Sequence, residues 1–125
     1  MDIMKTILVI DDNTSIVRTV KKILEKEGYE VDTAFDGNEG IRKIDNGSYE
    51  LLISDMIMPE QHGQELARYL ADKSGETPLL IMTGGGTLLT KEMATEIAKK
   101  VTPYILLKPF DGQALKAKMD EIFNS

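Results

Sequence analysis

The chain has no cysteine and only one histidine among its 125 residues. The first absence excludes disulfides, thiolate metal ligation and cysteine catalysis, and it suits a reducing compartment without requiring one. The second excludes a metal site built on imidazoles, and His62 is expected on an exposed loop. Long apolar runs are also missing. The stretch from Ile7 to Ile10 is far shorter than the ~20 residues of a membrane-spanning helix. Asp11 and Asp12 follow it at once, with no small-residue cleavage site, so it is not a secretion signal. Positive charge is in deficit, 15 Lys and Arg against 21 Asp and Glu, for a net −6. That balance argues against a sequence-independent nucleic-acid binder. No internal repeat, low-complexity tract or Pro/Ser-rich linker divides the chain. These absences predict one soluble, cytoplasmic domain over residues 1–125, with no membrane or nucleic-acid partner. A chain of this length buries roughly two-thirds of its unfolded surface, enough to fold without staples.

What is present is an alternation of two periodicities. Residues 5–10, 29–34, 50–54, 78–82 and 104–107 are short apolar or β-branched runs that predict strands. Between them lie helical patterns. Asn13 to Ser15 start a helix carrying Ile16, Val20, Ile23 and Leu24, and Gly28 stands where a glycine cap ends it. Asp36 and Glu39 resemble a capping box before Ile41 and Ile44. A third helix carries Leu66, Ala67 and Leu70. A fourth starts near Thr90 with Met93, Ala94, Ile97, Ala98 and Val101 inward. A fifth, capped by Asp111, carries Leu115, Met119, Ile122 and Phe123. Strict alternation of buried strands and helices predicts an α/β fold with right-handed crossovers and a five-stranded parallel sheet covered on both faces. Ligands of such sheets bind outside the carboxyl ends of the strands.

The polar residues at those ends carry the chemistry. Asp11 and Asp12 end the first strand, Asp55 the third, Thr83 the fourth and Lys108 the fifth. If the strand order is the flavodoxin-like 2-1-3-4-5, the first and third strands are neighbours and the three carboxylates converge. Two unit charges ~5 Å apart repel by roughly 3 kcal/mol at an effective dielectric of about 20. Protonation or a cation must relieve that repulsion. Oxygen-only ligands at an open loop edge suit Mg²⁺, which leaves room for phosphate oxygens. A carboxylate nucleophile, a divalent cation, a hydroxyl and an ammonium are the parts needed to form and hold an aspartyl phosphate.

Four motifs stand in order at predicted strand ends: Leu8-Val9-Ile10-Asp11-Asp12, Asp55-Met56-Ile57-Met58-Pro59 with Gly63, Met82-Thr83-Gly84, and Lys108-Pro109-Phe110. Over essentially the whole chain they resemble the response regulator receiver family, the CheY-like domains of two-component signalling. The resemblance implies a flavodoxin-like doubly wound (βα)5 fold and a phosphorylation switch. Asp55 would accept the phosphoryl group from a histidine kinase or phosphotransfer protein. Asp11, Asp12, Asp55 and the backbone carbonyl of Ile57 would hold Mg²⁺. Thr83 and Lys108 would each bond a phosphoryl oxygen, and the Lys108–Pro109 bond would be cis. Receivers commonly dock their kinase through the first helix and the loop after the fifth strand, where Ile16 is either docking surface or core. The domain would be a monomer or a phosphorylation-dependent dimer acting on a downstream protein. Because the chain ends just after the fifth helix, a stand-alone receiver without an effector domain is expected, with an excised fragment as the alternative.

The chain departs from the family pattern in places. Ile105 stands where receivers carry a switch aromatic, and Tyr104, one residue earlier, points to the opposite face. The run Gly84-Gly85-Gly86 is unusually rich in glycine, and backbone movement there is expected to replace the aromatic flip. Two other function classes fit the residues less well. A haloacid-dehalogenase-like phosphatase needs a second Asp two residues after its nucleophile, and Ile57 occupies that position. A non-phosphorylated interaction module has no use for an intact acidic trio with a lysine. The glycine run also lacks the Gly-Lys-Ser/Thr ending of a Walker loop.

Overall fold

The computed structural model describes residues 4–55, 77–84, 90–100 and 102–124, the side chains at 91, 94 and 97 excepted. The helix expected around Leu66, Ala67 and Leu70, the loop with Ile57 and His62, and Gly85 and Gly86 lie outside the described residues.

Five strands are formed among the described residues: β1 (Thr6–Ile10), β2 (Glu30–Ala34), β3 (Leu51–Asp55), β4 (Leu79–Thr83) and β5 (Tyr104–Leu107). The described helices are α1 (Thr14–Lys26), α2 (Gly37–Asn46), α3 (Lys91–Lys99) and α4 (Gly112–Phe123). All strands pair in parallel, as the alternation predicts, and their order is β2-β1-β3-β4-β5, the flavodoxin-like order that the family resemblance implied. β3 and β4 are buried along their whole length, and β1 from its second residue on. That is why they read as continuous apolar runs rather than as alternating ones.

Period-two alternation divides the strands' side chains between two cores. Ile7, Val9, Leu51, Ile53, Leu80, Met82 and Leu106 pack against α1 and α4, through Val17, Val20, Leu24, Leu115, Met119 and Ile122. Leu8, Ile10, Leu52 and Ile81 pack on the other face with Ala98 of α3 and with Ile41 and Ile44 of α2. Each fully buried aliphatic side chain contributes on the order of 1.5–3 kcal/mol. Tyr104 packs with the first group and Ile105 with the second, so the two do point to opposite faces.

The helix starts are set locally. The side chains of Asn13, Asp36 and Asp111 accept from the backbone N–H groups of Ile16, Glu39 and Ala114. The Glu39 carboxylate reaches back to the N–H of Phe35 at 2.7 Å, one residue before the cap itself. α1 ends at Lys26 with Glu27 as its cap, and the next residue, Gly28, has a φ of 94° in the left-handed region that glycine enters without penalty. Met93 corrects the sequence reading. Expected inward, it is 50% exposed, whereas Ala98 is buried. Five positions along a helix amount to about 140° of rotation, so the two cannot share the sheet-facing side. No described helix is long and apolar enough to cross a membrane.

Candidate functional site

The strand register decides which residues meet at the carboxyl edge. Ile10 pairs with Ser54, so the residues that follow, Asp11 and Asp55, emerge side by side. Asp55 pairs with Met82 and Thr83 with Leu107, which sets Thr83 and Lys108 beside them. Main-chain bonds extend the ladder past the strands: Asp11 N–H donates to the Ala34 carbonyl at 3.1 Å, and Lys108 N–H to that of Thr83 at 2.7 Å.

Asp11 is fully buried, and one of its oxygens accepts from the Asn13 N–H at 2.9 Å. Asn13 also caps α1, so the start of the helix fixes the carboxylate. The Lys108 ammonium donates to the other Asp11 oxygen at 3.1 Å and pairs with Asp55 Oδ1 at 3.1 Å. Asp12 is exposed, while Asp55 is 9% exposed. One oxygen from each of Asp11, Asp12 and Asp55 lies within 4.8 Å of the others. The convergence expected from the strand order is therefore present, and Lys108 is the cation inside it. The Lys108–Pro109 bond is cis, as the resemblance implied.

Thr83 completes the edge. It is 1% exposed, and its hydroxyl has no hydrogen-bond partner among the described residues. An orphaned buried hydroxyl costs about 1–3 kcal/mol and calls for a missing partner. Carboxylate oxygens from three residues suit a small hard cation, and an unpartnered hydroxyl beside them suits an anionic oxygen. The donor set thus fits Mg²⁺ together with a phosphoryl group.

Burial, first of all, pushes the Asp11 carboxyl above its ordinary 3.8, and the Asp55 charge adds to this against the opposing bonds from Asn13 and Lys108. Asp12 is also raised, by desolvation and then by Asp11. Between 3.8 and these raised values the native state holds more protons than the unfolded chain. Metal-free stability contributed by this pair therefore falls as pH rises through that window. With a chelator present, Asp12→Asn is expected to raise Tm at pH 7, and the gain should fade below pH ~4 and vanish near pH ~3, where both states are largely protonated. A gain of equal size at both pH values would contradict the repulsion.

Sequence reasoning missed three features. A groove of about 530 Å³ opens next to Lys108, lined by Ser15, Ile16, Thr19, Gly84, Lys108, Pro109 and Phe110. Ile16 packs partly against the core and also lines this groove. The spacing of Ser15, Ile16 and Thr19 on one helical face was the available signal. Away from the site, Asp32 on β2 accepts from Lys43 at 2.9 Å and from the Tyr49 hydroxyl at 2.8 Å. Burial pushes this carboxyl up, but the bonds from Lys43, Tyr49 and the Thr33 N–H, with the Lys43 charge, together outweigh it and hold it below the usual range. Its contribution to stability is therefore lost as pH falls through its lowered native value, opposite in sign to the acidic pair. The third feature is the close approach of Gly84 to Lys108.

The chain matches the family model of the response regulator receiver domain over residues 7–120. It is 30% identical over 113 residues to the transcriptional regulatory protein DltR of Streptococcus agalactiae, covering 90% of this chain and 49% of that protein. It is also 30% identical over 118 residues to the alkaline phosphatase synthesis transcriptional regulatory protein PhoP of Bacillus subtilis, covering 94% and 48%. The chain thus spans about half the length of the curated relatives it matches. Among solved structures it is similar to the chemotaxis response regulator CheY4 of Vibrio cholerae, with a TM-score of 0.85, 29% identity, and 97% and 100% of the two chains covered. A beryllofluoride-activated NtrC4 receiver domain dimer gives a TM-score of 0.82 and 30% identity, with 97% and 98% of the two chains covered. With the strand order, the acidic edge and these likenesses in agreement, the chain belongs to the response regulator receiver domain family.

Proposed function

We propose that residues 1–125 form one receiver unit that works in the cytoplasm as a phosphorylation switch, with Asp55 as the acceptor. The observation that carries this reading is the Lys108 ammonium standing 3.1 Å from both Asp11 and Asp55. In the reaction, an Asp55 oxygen attacks the phosphorus of a phosphohistidine on a histidine kinase or phosphotransfer protein. A new O–P bond forms, the P–N bond breaks, and the imidazole leaves with the electron pair. Lys108 offsets the charge that spreads over the transferring oxygens. Thr83 donates its unused hydroxyl to one of them, so its orientation differs between the two states. Asp11, Asp12 and Asp55 would hold Mg²⁺ with the carbonyl of Ile57, which lies outside the described residues. Bound there, the ion supplies positive charge to the phosphoryl oxygens.

The groove beside Lys108 supports the docking role that the family resemblance gives to the first helix and the loop after β5. The donor would seat an apolar segment against Ile16, Pro109 and Phe110, within reach of Asp55. Output would pass through contact with a downstream protein. Met93 and Leu107, 50% and 46% exposed on α3 and β5, offer apolar surface for such a protein or for a second copy. Sedimentation with and without a phosphodonor distinguishes monomer from phosphorylation-dependent dimer.

The direct test is intact mass after incubation with acetyl phosphate and Mg²⁺. One added phosphoryl group, absent when a chelator replaces Mg²⁺, is the expected result; no gain in either sample would defeat the reading. Mg²⁺ alone should raise thermal stability by linkage. At 100 times its Kd the gain is about 2.7 kcal/mol, or on the order of 10 °C for a domain of this size. Asp12→Ala should remove most of that gain, and an Mg²⁺-insensitive melt of the wild type would exclude the metal site.

A further inference from the structure

β4 and β5 end together, and the residue after β4 is a glycine. Gly84 does not need to be glycine for its backbone angles, since Gly28 holds the only positive φ among the described residues. What distinguishes Gly84 is its neighbour. A Cβ placed on it would stand 2.9 Å from the Lys108 Cβ and 3.2 Å from the Lys108 carbonyl oxygen. Carbon atoms of non-bonded groups pack at roughly 3.5–4.0 Å. The atom in the way is not the far end of the lysine stem, which can swing aside. It is the first side-chain carbon, followed by the main chain itself. Any side chain at position 84 must therefore move backbone at one of the two strand ends. The shift would act directly on the residue whose ammonium reaches both Asp11 and Asp55.

We propose that Gly84 is a positioning residue: by carrying no side chain, it lets the end of β4 close on Lys108 and so sets the ammonium between the Asp11 and Asp55 carboxylates. The consequence for phosphoryl transfer rests on the acceptor role of Asp55 proposed above. The electrostatic consequence does not. An ammonium between the carboxylates partly neutralises them and so competes with a metal cation for the same charge. Moving it away makes the acidic edge more negative. Phosphorylation should then slow while Mg²⁺ binds more tightly, and mere loosening of the fold would not move the two in opposite directions.

The test uses four proteins: wild type, Gly84→Ala, Lys108→Ala and the double variant Gly84→Ala/Lys108→Ala. Alanine at 108 keeps the Cβ and the carbonyl, so the steric conflict persists in the double variant and only the ammonium is missing. Mg²⁺ affinity is measured by calorimetry at low ionic strength, and labelling by acetyl phosphate is followed by intact mass. Gly84→Ala is expected to lower the Mg²⁺ Kd by about three- to tenfold, the scale of a partly exposed ionic contact, and to slow labelling. On the Lys108→Ala background the same substitution should change either quantity by no more than about twofold, the ordinary limit of additivity. Equal effects in both backgrounds would show that Gly84 acts without Lys108 and would overturn the proposal. So would a folded Gly84→Ala with wild-type Mg²⁺ affinity, a Gly84→Ala that shows no cooperative melt, or a wild type that binds no Mg²⁺. If the wild type binds Mg²⁺ but takes up no phosphoryl group, the acceptor role fails, while the affinity comparison still decides the role of Gly84.

Discussion

Asp55→Asn should take up no phosphoryl group from acetyl phosphate and Mg²⁺ under conditions in which the wild type gains one. The amide oxygen lacks the negative charge that makes a carboxylate a nucleophile. Loss of the attacking group should slow labelling by at least about 10³-fold, as removal of an enzyme's nucleophile does. The substitution is nearly isosteric at a position only 9% exposed, so the end of β3 keeps its packing. It also removes one of the charges that hold the Asp11 carboxyl above its ordinary value. The metal-free variant should therefore fold at least as well as the wild type, and a circular dichroism melt checks this. A folded Asp55→Asn protein that still labels to the wild-type extent would place the acceptor elsewhere, and peptide mass mapping would find it.

Lys108→Ala has the next largest expected effect. It removes two 3.1 Å ionic contacts at once. It also removes a positive charge available to the transferring oxygens. Loss of one preorganised group of this kind costs about 10²–10³ in rate, and labelling of Asp55 should slow accordingly. Mg²⁺ affinity should rise, because the carboxylates lose a competitor. Lys108→Arg separates charge from shape. The guanidinium keeps the charge, so Mg²⁺ affinity should stay near wild type. Its planar fork does not reproduce the compact ammonium between two carboxylates, so labelling should remain impaired. Labelling by Lys108→Ala at the wild-type rate would remove Lys108 from the mechanism.

Much of this molecule is legible locally. β1, β3 and β4 begin within about one residue of where their apolar runs predict, because strands covered on both faces must be apolar throughout. The caps at Asn13, Asp36 and Asp111 are legible because a cap bonds a residue only three positions away. The inward placement expected of Met93 fails because α3 is short and its pattern of apolar residues admits more than one sheet-facing side. The sequence does not decide the place of Ile16, because a residue at the rim of a core packs partly on the core and partly on the surface groove beside it.

Sequence alone determined which chemical groups stand at the strand ends: the carboxylates of Asp11, Asp12 and Asp55, the hydroxyl of Thr83 and the ammonium of Lys108. Those identities, in that order, were enough to mark the family. Tertiary structure decided which of their atoms meet. Lys108 and Asp11 are 97 positions apart, yet a hydrogen bond joins them. No local propensity acts over that distance; the register of neighbouring strands does, because each residue of slip shifts a strand by about 3.3 Å and reverses the face its side chains occupy. The same register presses Gly84 against Lys108 and leaves the Thr83 hydroxyl buried without a partner among the described residues.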